Sequence, residues 1–126
     1  SFTGDTGPYV QYSCARIASI LRKFGDCPET VGETFPVETA AEWALLMQLA
    51  SFAGVVAGAV AQRNCAPIAQ YALDTARTFT TFYHECPVIG APTRAQQVAR
   101  AQLCRATRQT IRNALGLLGI TAPERM

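Results

Sequence analysis

Residues 4–23, GDTGPYVQYSCARIASILRK, decide how this chain is read. Asp5 and Thr6 are candidate N-caps, because their side-chain oxygens can accept from the free N–H groups of a first helical turn. Pro8 suits that turn, where its missing N–H costs nothing. From there the residues sort at steps of three and four, which predicts a helix from about Pro8 to Lys23. Val10, Cys14, Ile17, Leu21 and Phe24 share one face, the pattern of ordinary core. Tyr9, Tyr12, Ser13, Arg16 and Ile20 share another, with two phenols one turn apart and a guanidinium one turn on. Two readings fit that second face. The phenols border the core and the arginine is solvated, or the face stacks on a nucleobase, hydrogen-bonds its edge and pairs with a phosphate.

Working outward, Gly25, Asp26 and Pro28 stop this helix, and Phe24 to Pro36 reads as a surface loop. A second helix is expected from Pro36 or Val37, with Glu38 and Glu42 near the positive end of its dipole and Trp43, Leu46, Met47 and Ala50 as its apolar face. The pattern breaks around Ser51 to Gly54, and a shorter helix built on Val55, Val56, Ala59 and Val60 follows to about Gln62. A fourth helix spans about Pro67 to Glu85, with Ile68, Tyr71, Ala72, Thr75, Phe79, Phe82 and Tyr83 in one broad stripe. The last runs from about Thr93 to Leu118 and ends at Gly119. Its buried side is Leu103, Cys104, Ile111, Ala114, Leu115 and Leu118, and beside it Arg94, Arg105, Arg108 and Arg112 form a basic stripe. That stripe reads either as a solvated face or as a phosphate track. With no alternating strand pattern of useful length, the fold class is all-α, a bundle of four to five helices in a single domain over 1–126.

Composition narrows the function. The chain has 126 residues, 49% of them hydrophobic, enough for one core, and a net charge of only +2 that does not itself imply nucleic acid. Ten of its eleven basic residues are arginine, the type suited to phosphate and base recognition. The five cysteines, Cys14, Cys27, Cys65, Cys86 and Cys104, are odd in number and contain no C-x-x-C pair, so buried free thiols in a reducing compartment are expected rather than a zinc site or disulfides. The apolar run Trp43 to Val60 is interrupted by Gln48, Ser51 and two glycines, and no membrane partner is expected. His84 is the only histidine, and the nine acids are scattered, so no nucleophile–base pair and no paired carboxylates are suggested. A binding module fits better than a small-molecule enzyme, with no cofactor and no metal expected for it. The chain lacks an initiator methionine and begins just before a helix entry, which reads as a piece of a longer protein.

The opening stretch resembles the segment by which arginyl-tRNA synthetases enter their C-terminal, DALR-type anticodon-binding domain, roughly G-x-T-x-P-Y-L-x-Y-A-x-A-R-I. Gly4, Thr6, Pro8, Tyr9, Tyr12, Ala15, Arg16 and Ile17 match, while Ser13 and Cys14 depart. A second family run, Y-L-x-x-L-A-x-x-F-x-x-F-Y-x-x-C-x-V, is met by Tyr71, Ala76, Phe79, Phe82, Tyr83, Cys86 and Val88, with Ala72 and Thr75 replacing its leucines. Residues 114–120, ALGLLGI, are a close variant of its G-L-x-L-L-G-I helix end, and Ala122 to Met126 repeat its terminal A-P-E-R-M unchanged. The family's Pro-His at the start of the fourth helix is replaced by Cys65 and Ala66.

The resemblance implies a domain that grips the anticodon of an arginine tRNA and holds its middle base, a cytosine, in a pocket near the chain end. The matching positions are Tyr9, Tyr12, Tyr83 and Met126 with its terminal carboxylate, with Arg16 beside them for a phosphate or base contact. The arginines of the last helix are added from helical phase alone. A parent synthetase would use ATP and Mg²⁺ to charge the tRNA, but this chain has neither a His-x-Gly-His element nor a KMSKS-like loop. Its expected partners are arginine tRNA and the parent's catalytic domain, as a monomer in the cytoplasm, with an organelle as the alternative. Competing readings are a freestanding tRNA-binding domain without synthetase activity and a helical scaffold that binds another protein.

Overall fold

The computed structural model describes residues 6–27 and 35–120, which form α1 (Thr6–Phe24), α2 (Ala40–Ala50), α3 (Phe52–Gln62), α4 (Ala66–Glu85) and α5 (Arg94–Leu117). Among the described residues there is no strand, and the all-α bundle expected from the sequence is the architecture observed. Asp5, residues 28–34 and Met126 lie outside the described residues.

α4 is the central element and packs against each of the other four helices. Its stripe buries Ile68, Tyr71, Ala72, Thr75, Ala76, Phe79 and Phe82. α1 runs antiparallel to α5. Val10 and Cys14, early in α1, share a core with Ile111, Ala114 and Leu115, late in α5. At the other end Ile17 packs with Leu45, Phe79, Phe82, Leu103 and Cys104. Because α1 buries one edge against α5 and another against α4, its Tyr9–Tyr12–Arg16 edge is carried to the rim of the α1–α4 seam.

The ends of the helices follow local chemistry. α1 carries Arg22 and Lys23 in its last turn, favourable to the dipole, and stops at Gly25, whose φ of +80° places it in the left-handed region. α5 stops likewise at Gly119, φ +77°, where the Ile120 N–H returns to the Leu115 carbonyl at 2.8 Å. α2 begins three residues later than Val37 because Thr39 caps it. The Thr39 hydroxyl accepts from the Glu42 N–H while the Glu42 carboxylate accepts from the Thr39 N–H, a reciprocal box. Thr93 and Gln96 make the same arrangement at the start of α5.

The expected faces of α2 and α3 are corrected. α2 buries Ala41, Glu42 and Leu45, whereas Trp43 and Met47 are 51% and 59% exposed. The helix is apolar nearly all round, so phase alone does not select its inner side. Selection comes from the Glu42 carboxylate, which is drawn inward to the Arg100 guanidinium. In α3 only Ala59 is buried and Val60 is exposed. Residues 40–62 are long and apolar enough to cross a membrane, with mean hydropathy 1.9. In the structure they are α2 and α3, separated at Ser51 and both packed on α4. Gln48 and Tyr71 tie this seam together, the Tyr71 hydroxyl donating to the Gln48 carbonyl and Gln48 Nε2 donating to Thr75 Oγ1 at 3.1 Å.

The thiols divide by position. Cys14, Cys86 and Cys104 are buried, Cys27 is half-buried, and Cys65 is exposed, which corrects the expectation that all would be buried. Burial pushes the Cys14 thiol up to about 11, against the lowering fields of Arg112 and Arg108, and pushes Cys104 up to about 12.

Candidate functional site

Tyr12, Arg16 and Tyr83, placed together by the sequence argument, form one cluster across the α1–α4 seam. Tyr12 and Arg16 are one turn apart on α1, and the Arg16 Nη2 donates to the Tyr12 hydroxyl oxygen at 3.3 Å. The guanidinium carbon lies 4.9 Å from the Tyr12 ring centre and 4.3 Å from the Tyr83 ring centre. A single cation therefore contacts two aromatic rings, each contact worth about 0.5–2 kcal/mol depending on desolvation. Both rings keep accessible area, 52% for Tyr12 and 38% for Tyr83. Tyr83 is held by Phe79 at 6.3 Å and, edge-on, by His84 at 5.3 Å. With that exposure Tyr83 stands at the rim of the core, one turn beyond the buried Phe79.

Tyr9 sits one turn earlier, with its hydroxyl 2.8 Å from Thr80 Oγ1. The Thr80 hydroxyl donates its one proton to the Ala76 carbonyl at 2.9 Å. Tyr9 is therefore the donor to Thr80, and its remaining lone pair is an acceptor at the surface. Tyr12 has the opposite polarity, since its oxygen accepts from Arg16 and its O–H proton is directed elsewhere. The seam thus presents an acceptor, a donor, a guanidinium with further N–H groups and two ring faces. That set can stack on a planar base, bond its edge and pair with a phosphate.

Next to Tyr83 lies an open cavity of about 390 Å³, lined by Ile20, Lys23, Tyr83, His84 and the α4–α5 connection from Cys86 to Gly90. His84 is exposed beside it. Among the described residues no group of three or more His, Cys, Asp or Glu side chains is placed to hold a metal ion.

The basic stripe of α5 is distributed differently. Arg94, at the start of α5, lies over the Phe24 ring at 4.9 Å, by the last turn of α1. Arg105 Nη1 donates to Gln102 Oε1 at 3.5 Å. The charges of Arg108 and Arg112 are felt at Cys14, roughly half a turn round α1 from Tyr12 and Arg16 at about 100° per residue. Arg94, Arg108 and Arg112 thus lie on the α5 side of α1, away from the Tyr12–Arg16 edge, while the contact of Arg105 is within α5 itself. Met126 lies outside the described residues.

Two features were missed from sequence. Thr80, which orients Tyr9, carries no sequence signal beyond its spacing of three from Tyr83. The Glu42–Arg100 pair was missed as well, although Thr39-x-x-Glu42 has the form of a capping box and would have placed the start of α2.

Against known proteins, the profile of the DALR anticodon binding domain matches residues 10–126. The arginine–tRNA ligase of Frankia casuarinae is 44% identical over 128 residues, covering 100% of this chain and 21% of that protein. That of Thermobifida fusca is 39% identical over 126 residues, covering 100% of this chain and 22% of that protein. Among solved structures, Thermus thermophilus arginyl-tRNA synthetase superposes with a TM-score of 0.86 at 39% identity, over 100% of this chain and 22% of that one. A putative arginyl-tRNA synthetase from Campylobacter jejuni gives 0.83 at 25% identity, over 94% of this chain and 26% of that one. The chain spans about a fifth of the length of the curated relatives it matches.

Proposed function

This chain belongs to the DALR anticodon-binding domain family, and from that premise we propose that it is the tRNA-gripping module of an arginyl-tRNA synthetase. It reads the middle cytosine of an arginine tRNA anticodon at the α1–α4 seam. The observation that carries this reading is the Arg16 guanidinium between the Tyr12 and Tyr83 rings, at an exposed edge. A cytosine offers a ring to stack and an exocyclic amino group to donate, where uracil offers a carbonyl. Acceptors able to take that amino proton are the Tyr9 oxygen and a backbone carbonyl. Stacking contributes about 1–3 kcal/mol per base and is indifferent to which base, so discrimination must come from these acceptors. Arg94, Arg105, Arg108 and Arg112 serve, on this reading, as a separate phosphate-facing flank rather than as part of the base site.

The parent protein would be an arginine–tRNA ligase, attaching arginine to its tRNA with ATP and Mg²⁺ through a catalytic domain that adjoins this one. A monomeric protein acting in the cytoplasm or a translating organelle accords with that role.

The test is binding of this chain at low salt to an arginine tRNA anticodon stem-loop and to the same loop with the middle cytosine changed to uracil. We expect the cytosine loop to bind more tightly, and Tyr83→Ala to weaken it by about 1–3 kcal/mol. Arg16→Lys keeps the charge but loses the planar fork that contacts both rings, and is expected to weaken binding of both loops. Equal binding of both loops, unchanged by either substitution, would overturn the assignment and favour a protein-binding scaffold.

A further inference from the structure

Arg100 and Glu42 are the most deeply buried charged pair among the described residues, at 6% and 0% exposure. The pair stands outside the Tyr12–Arg16–Tyr83 cluster, yet it is connected to it. Arg100 Nη2 and Nε each lie 3.4 Å from a Glu42 oxygen. Its third arm, Nη1, donates to the Pro87 carbonyl at 2.9 Å. Pro87 belongs to the α4–α5 connection that walls the cavity beside Tyr83. A second tie holds the neighbouring residue, since Thr39 Oγ1 lies 3.3 Å from Cys86 Sγ. Glu42 is itself fixed by Thr39, whose N–H and hydroxyl both donate to it, at 3.1 and 3.0 Å. The α2 cap, the middle of α5 and the end of α4 are thus joined at one charged knot.

A buried ion pair is a costly way to gain stability alone, since apolar residues of similar size do as well or better. What an apolar pair cannot supply is a directed donor to the Pro87 carbonyl. Four residues before Pro87 stands Tyr83, the α4 ring of the candidate site.

We propose that Arg100, oriented by Glu42, is a positioning residue for RNA recognition: it sets the α4–α5 connection and so the cavity wall and the seat of the Tyr83 ring. The inference rests on the anticodon reading given above. It assigns a role in selectivity to two residues that touch no RNA.

The experiment uses the full chain and the two stem-loops named above, with thermal unfolding measured alongside. The double variant Glu42→Leu/Arg100→Met leaves no buried charge unpaired, so its melting temperature should fall far less than that of Glu42→Ala and the chain stays folded. Its affinity for the cytosine loop should fall about ten-fold, and its preference over the uracil loop should fall with it. The slope of log affinity against log salt should not change, because no phosphate contact is removed. Arg100→Lys provides the second variant. An ammonium can stay beside Glu42 but lacks the fork that also reaches Pro87, so the preference should fall in the same direction. If the parent prefers cytosine and both variants, folded, keep that preference in full, the positioning role is wrong while the anticodon reading stands. If the parent itself shows no preference, the anticodon reading fails and this inference falls with it.

Discussion

Glu42→Ala is the substitution whose cost can be worked most directly from the structure. The carboxylate is fully buried and is met by the Thr39 N–H, the Thr39 hydroxyl, the Glu38 N–H at 3.4 Å and two arms of Arg100. Truncation removes all of these at once and leaves the Arg100 guanidinium buried without its counter-charge. Breaking one side of a buried pair costs about 3–5 kcal/mol. A domain of this length has about 5–15 kcal/mol in all, so a large share of the stability would go. With each kcal/mol shifting the midpoint by about 4 °C at this size, the expected drop is about 12–20 °C. Thermal unfolding followed by helical circular dichroism measures it, and urea titration gives the same quantity at one temperature. A loss below about 1 kcal/mol, the size of a solvent-exposed ion pair, would refute the claim that the pair is desolvated. Glu42→Ala should also lose far more than Glu42→Leu/Arg100→Met, because only the single variant strands a charge.

Three further outcomes follow from the burial pattern. The Cys14 and Cys104 thiols have folded-state values raised to about 11 and about 12 from an ordinary 9.0, by burial. The stability they contribute is fully present below pH 9 and declines as pH rises from there through 11 to 12, because the unfolded thiols ionise first. Alkaline unfolding should therefore steepen above pH 9, and less so in Cys104→Ala once its packing loss is subtracted. At neutral pH an aromatic disulfide reagent should label Cys65 fast and leave Cys14, Cys86 and Cys104 protected until the chain unfolds. Trp43, the only tryptophan, should be readily quenched by iodide in the native chain, and a buried, unquenched emission would show that the face of α2 is assigned wrongly.

The helices and the seam of the site were legible because they depend on short-range signals. Period placed α1 and α4, and residues one turn apart on α1 had to meet whatever α1 packed against. That Tyr83 would join them came from the family resemblance; geometry then explained how, through a ring at the rim rather than in the core. The face of α2 was illegible for a different reason. Alanine, leucine, methionine and tryptophan surround that helix, so hydrophobic phase carries little information. The side that turns inward is chosen by a carboxylate whose partner lies 58 residues away. No local pattern records such a pairing. The α5 arginines show the same limit: phase grouped Arg94, Arg105, Arg108 and Arg112, but only the packing of α1 on α5 decides which surface they border.

The Arg16 contacts have a consequence for the timing of recognition. A solvated arginine samples many rotamers, and immobilising one forfeits about 1.5–2 kcal/mol of side-chain entropy. Here the guanidinium is already held between Tyr12 and Tyr83 by contacts internal to the chain. That ordering cost is met during folding, so an arriving loop would not have to meet it again. Seating two helices against each other has also immobilised the side chain that a flexible ligand would otherwise have had to freeze.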